Sequence, residues 1–306
     1  MLAHQPSFHS TTRFSCYTLY TNSMARQRLG QHFLSDPGWR EKIARAIRVS
    51  PHGMHPPAQT PAKDFCWIEI GAGHGELTEH LLKSGAPVIA VEVDPPLIAS
   101  LQRLAHNHPN LTIVSGDVLE IDLATLAAGR RMHIYGNLPY YITSPILHRF
   151  FQYADQVDEV HIVIQFEVAE RLTAHPGSKQ YGYLSVATQF YARPELELRL
   201  PPAAFHPPPE VASALVSLKF PGKGAHVQVE EPARFLEFVK GCFGQKRKTL
   251  SNNLRPFTAP ERTRQILSEL KLREDARAEQ LTVTQFAALY RAISSTPSTG
   301  GPGNHS

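Results

Sequence analysis

The sequence predicts an α/β protein in which a mostly parallel sheet, covered by helices on both faces, is followed by a small helical domain. Short apolar runs alternate with longer segments in which Leu and Ile recur every three or four residues, which is the rhythm of βαβ units. Two late apolar runs follow each other with no helix between them, which indicates an antiparallel edge. Beyond Pro221 only helical patterns remain.

Each element follows from its own pattern. Short runs rich in Val and Ile predict buried strands, at 65–70, 87–92, 111–115, 131–137 and 159–165. The late pair of strands is predicted at 195–200 and 212–220. Apolar residues at helical spacing predict helices within 75–85, 94–107, 167–174, 183–192, 231–244, 262–272 and 281–293. Residues 50–64, with several prolines, read as a loop insertion.

Composition excludes several classes of protein. The chain has 306 residues, of which 42% are hydrophobic and 19% charged, as in ordinary globular proteins. No apolar run approaches the roughly 18 residues of a membrane-spanning helix. Cys16, Cys66 and Cys242 lie far apart, which argues against a disulfide framework or a zinc site and favours a reducing, cytoplasmic location. The 16 histidines show no paired metal-ligand spacing, so we expect no metal.

Positive charge is concentrated in two stretches, although the net charge is only +4. Residues 240–255 include Lys246, Arg247, Lys248 and Arg255 and contain no acid, and a second acid-free stretch holds Arg26 and Arg28. Either stretch could be a solvated surface or a contact with an anionic partner. The Ser- and Thr-rich first 23 residues make a poor secretory or mitochondrial signal and read as a disordered extension.

Glycines and acids follow three successive predicted strands. Gly71, Gly73 and Gly75 form a strand-to-helix turn, where backbone can approach a ligand closely. The third glycine comes one residue too early for a dinucleotide-binding motif. Glu92 ends the next strand and Asp117 follows the third. Each acid alone could be surface charge or a turn cap, but together they suit a nucleoside, with its ribose on Glu92 and its adenine amine on Asp117.

The fourth strand ends in Asn137, Leu138, Pro139 and Tyr140. If the nucleoside is S-adenosylmethionine, this end lies where its methyl group would meet a substrate. The exocyclic amine of adenine is a poor nucleophile because its lone pair is delocalised into the ring. The Asn137 side-chain oxygen and the Leu138 carbonyl, fixed by Pro139, could accept hydrogen bonds from that amine and favour a free lone pair. Tyr140 could stack on the base.

The chain resembles the ribosomal RNA adenine N6,N6-dimethyltransferase family that acts on the small subunit. The resemblance runs from about Arg26 to about Ile293 and rests on RQRLGQHFL, EIGAGHGELT, VEVDP, GDVL, NLPYYITSPIL, QFEVAERL, FHPPPEVASALVSL and FGQKRKTLSNNL, in the family's order. It implies a Rossmann-like S-adenosylmethionine-dependent methyltransferase fold, with a mostly parallel seven-stranded sheet, an antiparallel edge strand and a small all-helical C-terminal domain. The expected division is a disordered extension (1–24), a catalytic domain (25–220), a helical RNA-binding domain (221–293) and a disordered tail (294–306).

The resemblance also assigns residues. It implies that Gly71, Gly73, Glu92, Asp117 and Asn137 contact the cofactor or the reaction centre, and it places His32 and Leu34 beside the cofactor. His32 departs from the family pattern, which has Asn there. Leu34 could equally be an ordinary residue of the hydrophobic core.

Further residues are expected to contact the RNA. Phe205 matches the family's second aromatic, opposite Tyr140 across the target base, although a buried aromatic is the alternative. The resemblance places RNA phosphates on Lys246, Arg247, Lys248 and Arg255, and Arg26 and Arg28 are expected to order around RNA as well.

The implied activity is dimethylation of N6 on two adjacent adenosines in a hairpin loop near the 3′ end of small-subunit (16S) ribosomal RNA. The expected partner is the immature 30S subunit, bound by a monomer in the course of subunit biogenesis. Three alternatives stay open: methylation of large-subunit RNA, a nucleic-acid-binding factor without catalysis, and a small-molecule N-methyltransferase. The basic C-terminal region argues against the last of these.

Overall fold

The computed structural model describes residues 32–48, 64–222, 227–245 and 248–295. Arg26, Arg28, Lys246 and Arg247, the predicted N-terminal extension and nearly all of the predicted loop insertion lie outside these residues. Of the predicted tail, Ser294 and Ser295 are described and Ser294 ends the last helix. Within the described ranges, the strands are Phe33–Leu34 (β1), Phe65–Ile70 (β2), Val88–Glu92 (β3), Leu111–Ser115 (β4), Arg131–Asn137 (β5), Val157–Gln165 (β6), Arg193–Leu200 (β7), Phe205–His206 (β8) and Ser213–Lys219 (β9).

Seven of these strands form one sheet in the order β4-β3-β2-β5-β6-β9-β7. The first five strands in this order run parallel to one another, whereas β9 pairs antiparallel with both β6 and β7. The predicted antiparallel edge is therefore present, and the strand that runs against the others is β9, one position inside the edge strand β7.

Helices follow most of the strands. In the described parts of the chain they are Pro37–Ala46 (α1), Thr78–Leu82 (α2), Pro95–His106 (α3), Leu123–Ala127 (α4), Thr143–Phe151 (α5), Phe166–Thr173 (α6), Tyr183–Tyr191 (α7), Pro232–Cys242 (α8), Leu250–Asn253 (α9), Pro260–Glu269 (α10) and Val283–Ser294 (α11). Local sequence explains several starts: Asp36 accepts a hydrogen bond from the Trp39 N–H at the beginning of α1, and Thr282 and Gln285 form a capping box at α11.

Apolar packing covers both faces of the sheet. Every residue of β2 is buried, and its side chains alternate between two clusters. Phe65 and Trp67 pack on one face with α1 and α2, whereas Cys66, Ile68 and Ile70 pack on the other with α4, α5 and α7. A strand buried on both faces reads as a continuous apolar run, which is why the sequence located it.

The C-terminal helices continue the second of these clusters. Both α8 and α11 pack on α7. The ring of Phe235 in α8 lies 4.9 Å from that of Phe190 in α7 and 5.7 Å from that of Tyr290 in α11. The helical segment after Pro221 therefore shares an apolar core with the sheet, while the predicted domain boundaries remain predictions.

A second, two-stranded sheet pairs distant parts of the chain. In this sheet β1 runs antiparallel to β8, with Phe33 opposite His206 and Leu34 opposite Phe205. The Ser35 N–H donates to the Ala204 carbonyl at 3.0 Å and extends the contact. This pairing holds the start of the described chain against the segment that precedes β9.

Candidate functional site

The predicted cofactor residues meet at one edge of the sheet. Gly71 follows β2, Glu92 ends β3, Asp117 comes two residues after β4 and Asn137 ends β5. These four strands are parallel neighbours, so their carboxyl ends lie side by side. Ligands of open α/β sheets bind at this edge.

The turn after β2 leaves room beside its backbone. Gly71 has φ +67° and Gly73 has φ +61°, a region that side chains with a Cβ rarely adopt. Among the described residues, a Cβ added to Gly71 would approach no heavy atom more closely than the Asn137 carbonyl oxygen, at 4.0 Å. The described residues therefore leave room for a Cβ on the side of Gly71 that faces the end of β5.

Glu92 is tied to that same turn. Its carboxylate is buried, with 3% of the residue exposed, and accepts hydrogen bonds from three backbone N–H groups. The donors are Gly73 at 2.9 Å, Val93 at 2.8 Å and Asp94 at 3.1 Å. These bonds compensate the carboxylate for its burial and fix it beside the glycines.

Glu69, which was not predicted as a site residue, lies under the turn. Burial raises the pKa of its carboxyl from 4.5 to about 8; the Thr78 hydroxyl, which donates to it at 2.5 Å, lowers the pKa, and nearby Glu76 and Glu92 raise it further. The signal in the sequence was an acid inside an otherwise apolar strand, two residues before the first glycine. Glu69 joins β2 to the first residue of α2 and so supports the glycine turn from below.

Asp117 is exposed and caps the turn after β4. Its Oδ1 accepts from the Leu119 N–H at 2.9 Å. That contact is the turn-capping role that the sequence left open, and it leaves Oδ2 as a further acceptor. Both functions are compatible with one carboxylate.

Asn137 presents its side-chain oxygen as an acceptor. Its Nδ2 donates to the His32 carbonyl at 2.8 Å, which orients the amide and leaves Oδ1 for another partner. The Leu138 N–H donates to the Val163 carbonyl at 3.0 Å, and the Leu138 side chain is buried. The strand end is thus held from both sides, by β6 and by the segment before β1.

Tyr140 is half-buried and anchored at both ends. Its hydroxyl shares a 2.9 Å hydrogen bond with Ser213, the first residue of β9, and its ring stacks on His32 at 5.7 Å between centroids. His32 Nδ1 lies 2.7 Å from the Pro207 carbonyl, which can only accept, so Nδ1 carries the proton. His32 therefore lies within the site and contacts the aromatic residue predicted to stack on a base.

Phe205 and Leu34 are core residues of the two-stranded sheet. Phe205 is 3% exposed and Leu34 is buried in the same apolar cluster. Phe205 is therefore a buried aromatic residue in the described structure, which is the alternative that the sequence left open. A stacking role for Phe205 remains a prediction and requires its ring to become accessible.

Lys248 and Arg255 flank the short helix α9 in the C-terminal segment, and both side chains are exposed. Asn253 fixes this helix by donating to the Cys242 carbonyl at 2.7 Å. Neither cation forms an ion pair with an acid among the residues that the structure describes. Both are available to a partner that carries negative charge.

Within the described ranges, no three His, Cys, Asp or Glu side chains come together as a metal site. No helix among those residues is both long and apolar enough to cross a membrane.

Sequence comparison places most of the chain in one family. Residues 22–295 match the model of the family described as ribosomal RNA adenine dimethylase. A protein named ribosomal RNA small subunit methyltransferase A from Caldanaerobacter subterraneus subsp. tengcongensis is 38% identical over 274 residues, 88% of this chain and 97% of its own. Another of that name from Xanthomonas euvesicatoria pv. vesicatoria is 40% identical over 265 residues, 87% of this chain and 95% of its own.

Solved structures show the same fold. A dimethyladenosine transferase from Plasmodium falciparum aligns with a TM-score of 0.69 and 22% identity, over 84% of this chain and 96% of its own. The 23S rRNA methyltransferase ErmE aligns with a TM-score of 0.65 and 24% identity, over 86% of this chain and 99% of its own.

Proposed function

Because the chain belongs to the ribosomal RNA adenine dimethylase family, we propose that it dimethylates N6 of two adjacent adenosines in small-subunit ribosomal RNA. The proposed target is a hairpin loop near the 3′ end of that RNA in the immature 30S subunit. The proposed enzyme acts as a cytoplasmic monomer with S-adenosylmethionine as methyl donor.

One observation carries the proposal. The Asn137 amide is oriented by its hydrogen bond to the His32 carbonyl, so its side-chain oxygen is held ready at the end of β5, and the backbone of the same residue lies opposite Gly71. An acceptor held in place before the substrate arrives stabilises the charge that develops on a reacting N–H group.

The residues at the strand ends fit S-adenosylmethionine. A carboxylate has about four acceptor positions, and three hydrogen bonds to Glu92 leave capacity for a ribose hydroxyl. Oδ2 of Asp117 suits an adenine amine, and the glycine backbone at Gly71 and Gly73 lets the remainder of the molecule approach closely. When bound, this cofactor supplies an electrophilic methyl group on its sulfonium sulfur.

The protein's own contribution is orientation and electrostatics. The Asn137 oxygen and the Leu138 carbonyl accept the two N–H bonds of the exocyclic amine, which favours a tetrahedral nitrogen with its lone pair free. Tyr140, fixed by Ser213 and His32, stacks on the adenine ring. An adenosine in a loop is easily everted into such a site, because little pairing is lost.

Lys248 and Arg255 are proposed to bind RNA phosphates, together with Lys246, Arg247, Arg26 and Arg28, which lie outside the described residues. Each phosphate contact adds about one to the negative slope of the logarithm of the binding constant against the logarithm of the salt concentration. Replacing Lys248 and Arg255 together with alanine is therefore expected to weaken RNA binding and to flatten its dependence on salt.

The direct test uses ribosomal subunits from a strain that lacks this modification. Purified protein and S-adenosylmethionine are incubated with separated small and large subunits, and the RNA is digested for mass spectrometry. We expect dimethyladenosine in small-subunit RNA. Product in large-subunit RNA would favour the alternative substrate, and failure to bind the cofactor in calorimetry would favour a binding factor without catalysis.

A matched pair of variants tests the role of Asn137. We expect Asn137→Ala to reduce turnover about a hundredfold with cofactor affinity largely kept, as for loss of one preorganised polar contact. Asn110→Ala is the control, since Asn110 also donates through Nδ2 to a backbone carbonyl, that of Ala86 at 3.0 Å, but at the opposite ends of the strands. Equal losses in the two variants would contradict the assignment.

A further inference from the structure

Exposed apolar side chains are gathered around the mouth of the strand-end site. Among the residues that the structure describes, the well-exposed large apolar side chains are those of Val93, Tyr141, Leu196, Val211 and Phe257. Three of the five lie at this edge of the sheet: Val93 directly after β3, Tyr141 beyond the end of β5 and Val211 just before β9. The edge of the sheet that holds the proposed cofactor residues therefore also carries most of the well-exposed large apolar side chains of the described residues.

Tyr141 is the most exposed of them, at 63%, and it stands on a fixed backbone. It lies in a single 3-10 turn, in which the Ile142 N–H donates to the Pro139 carbonyl at 3.2 Å. The Thr143 hydroxyl donates to the same carbonyl, also at 3.2 Å. A ring held on an ordered turn loses little conformational entropy when it stacks on a ligand.

Tyr140 and Tyr141 are directed to different sides of the site. The Tyr140 hydroxyl is bonded to Ser213 in β9, on one side of β5. Burial raises the pKa of Tyr141 and the carboxylate of Asp117 raises it further; Asp117 follows β4, which lies on the other side of β5 from β9. A base stacked on Tyr140 therefore leaves the Tyr141 ring free for a second contact.

We infer that Tyr141 forms a second nucleobase subsite, in which its ring stacks on the base adjacent to the reacting adenine in the RNA. The inference rests on the proposed function. Eversion of one nucleotide from a loop unstacks its neighbour, and an exposed aromatic ring replaces the lost stacking. Stacking needs only the face of the base, so the subsite accepts any base there and positions the strand without reading its sequence.

The test compares three variants with the wild type on unmodified small subunits. Tyr141→Ala is expected to raise KM for the subunit about tenfold, as for loss of one base-stacking contact, with little change in kcat. Tyr141→Phe keeps the ring and is expected to restore the wild-type KM. Leu196→Ala removes another exposed apolar side chain, 41% exposed on the edge strand β7, and is expected to change nothing.

Calorimetry with S-adenosylhomocysteine distinguishes an effect of Tyr141 on RNA binding from an effect on cofactor binding. An unchanged affinity in Tyr141→Ala supports the subsite, whereas a weakened affinity shows that the ring covers the cofactor instead and overturns it. A wild-type KM in Tyr141→Ala, or an equal rise in Tyr141→Phe, also overturns the subsite while the proposed function stands. If the wild type transfers no methyl group to small subunits, the proposed function fails and the subsite fails with it.

Discussion

Gly136 directly precedes Asn137, the residue proposed to accept from the reacting amine, and Gly136→Ala tests whether the position of the β5 end matters. A Cβ at Gly136 would lie 2.8 Å from Leu138 Cδ2 and 3.3 Å from both the Cβ and the carbonyl oxygen of Ile70. The Leu138 side chain is buried, so it cannot turn away without disturbing its neighbours. The added methyl group must therefore push the end of β5 away from β2.

The expected cost follows from these contacts. Overpacking of this kind lowers the free energy of unfolding by about 1–3 kcal/mol. Since the free energy of unfolding of a typical domain is about 5–15 kcal/mol, we expect the variant to remain folded. Because Asn137 is the next residue, the displacement moves its side-chain oxygen. Contacts of 3.3 Å require the neighbours to move by a few tenths of an ångström, and since a displacement of about 1 Å costs roughly a hundredfold, we expect turnover to fall about tenfold.

Urea denaturation and methyl transfer to small subunits measure the two effects. Gly182→Ala is the matched control: Gly182 has an extended backbone with φ −165°, and a Cβ there would meet nothing within 4 Å. We expect the control to keep wild-type turnover and, because alanine is a poorer N-cap than glycine at the start of α7, to lose less than about 1 kcal/mol of stability. The reasoning is refuted if Gly136→Ala matches Gly182→Ala in both measurements.

Three more outcomes are expected. Ser213→Ala removes the hydrogen-bond partner of the Tyr140 hydroxyl and should lower turnover about two- to tenfold, as for the loss of one neutral hydrogen bond. Cofactor affinity measured by calorimetry should not change, and a wild-type rate would show that this bond does not position the ring. The folded-state pKa of Glu69, about 8, exceeds its ordinary 4.5, so the stability it contributes is present below pH 4.5 and lost as pH rises toward 8. Glu69→Gln should therefore lose less stability than the wild type between pH 5 and 8 in urea titrations, and parallel profiles would contradict this. Burial lowers the pKa of His161, so the stability that this residue contributes is present above pH 6.5 and lost as pH falls. His161→Gln should therefore make the free energy of unfolding less dependent on pH below 6.5, and an unchanged dependence would contradict this.

Much of the sheet could be predicted from the sequence, because a strand buried on both faces is an unbroken apolar run with polar ends. The predicted strands at 65–70, 111–115 and 131–137 have the same bounds in the structure, and 159–165 begins two residues earlier, at Val157. Helices were harder to predict from the sequence where prolines interrupt the helical spacing of the apolar residues. No helix was predicted at Thr143–Phe151, since Pro139 precedes it and Pro145 lies within its first turn.

The sequence by itself determined which residues follow the parallel strands, and parallel pairing then brings Gly71, Glu92, Asp117 and Asn137 to one edge, because strands that run in one direction end on one side. Only the tertiary structure decided the contacts across the chain. His32 reaches Asn137 from 105 residues away, and its ring stacks on Tyr140.

The same holds for the groups that surround these residues. Pairing of β1 with β8 buries Phe205, and insertion of β9 beside β6 brings Ser213 to the Tyr140 hydroxyl. Such contacts depend on which strands become neighbours and on how tightly side chains pack between them. Residue order and periodicity carry no direct record of either, so the spacing of motifs located the site while the packing of distant segments set its geometry.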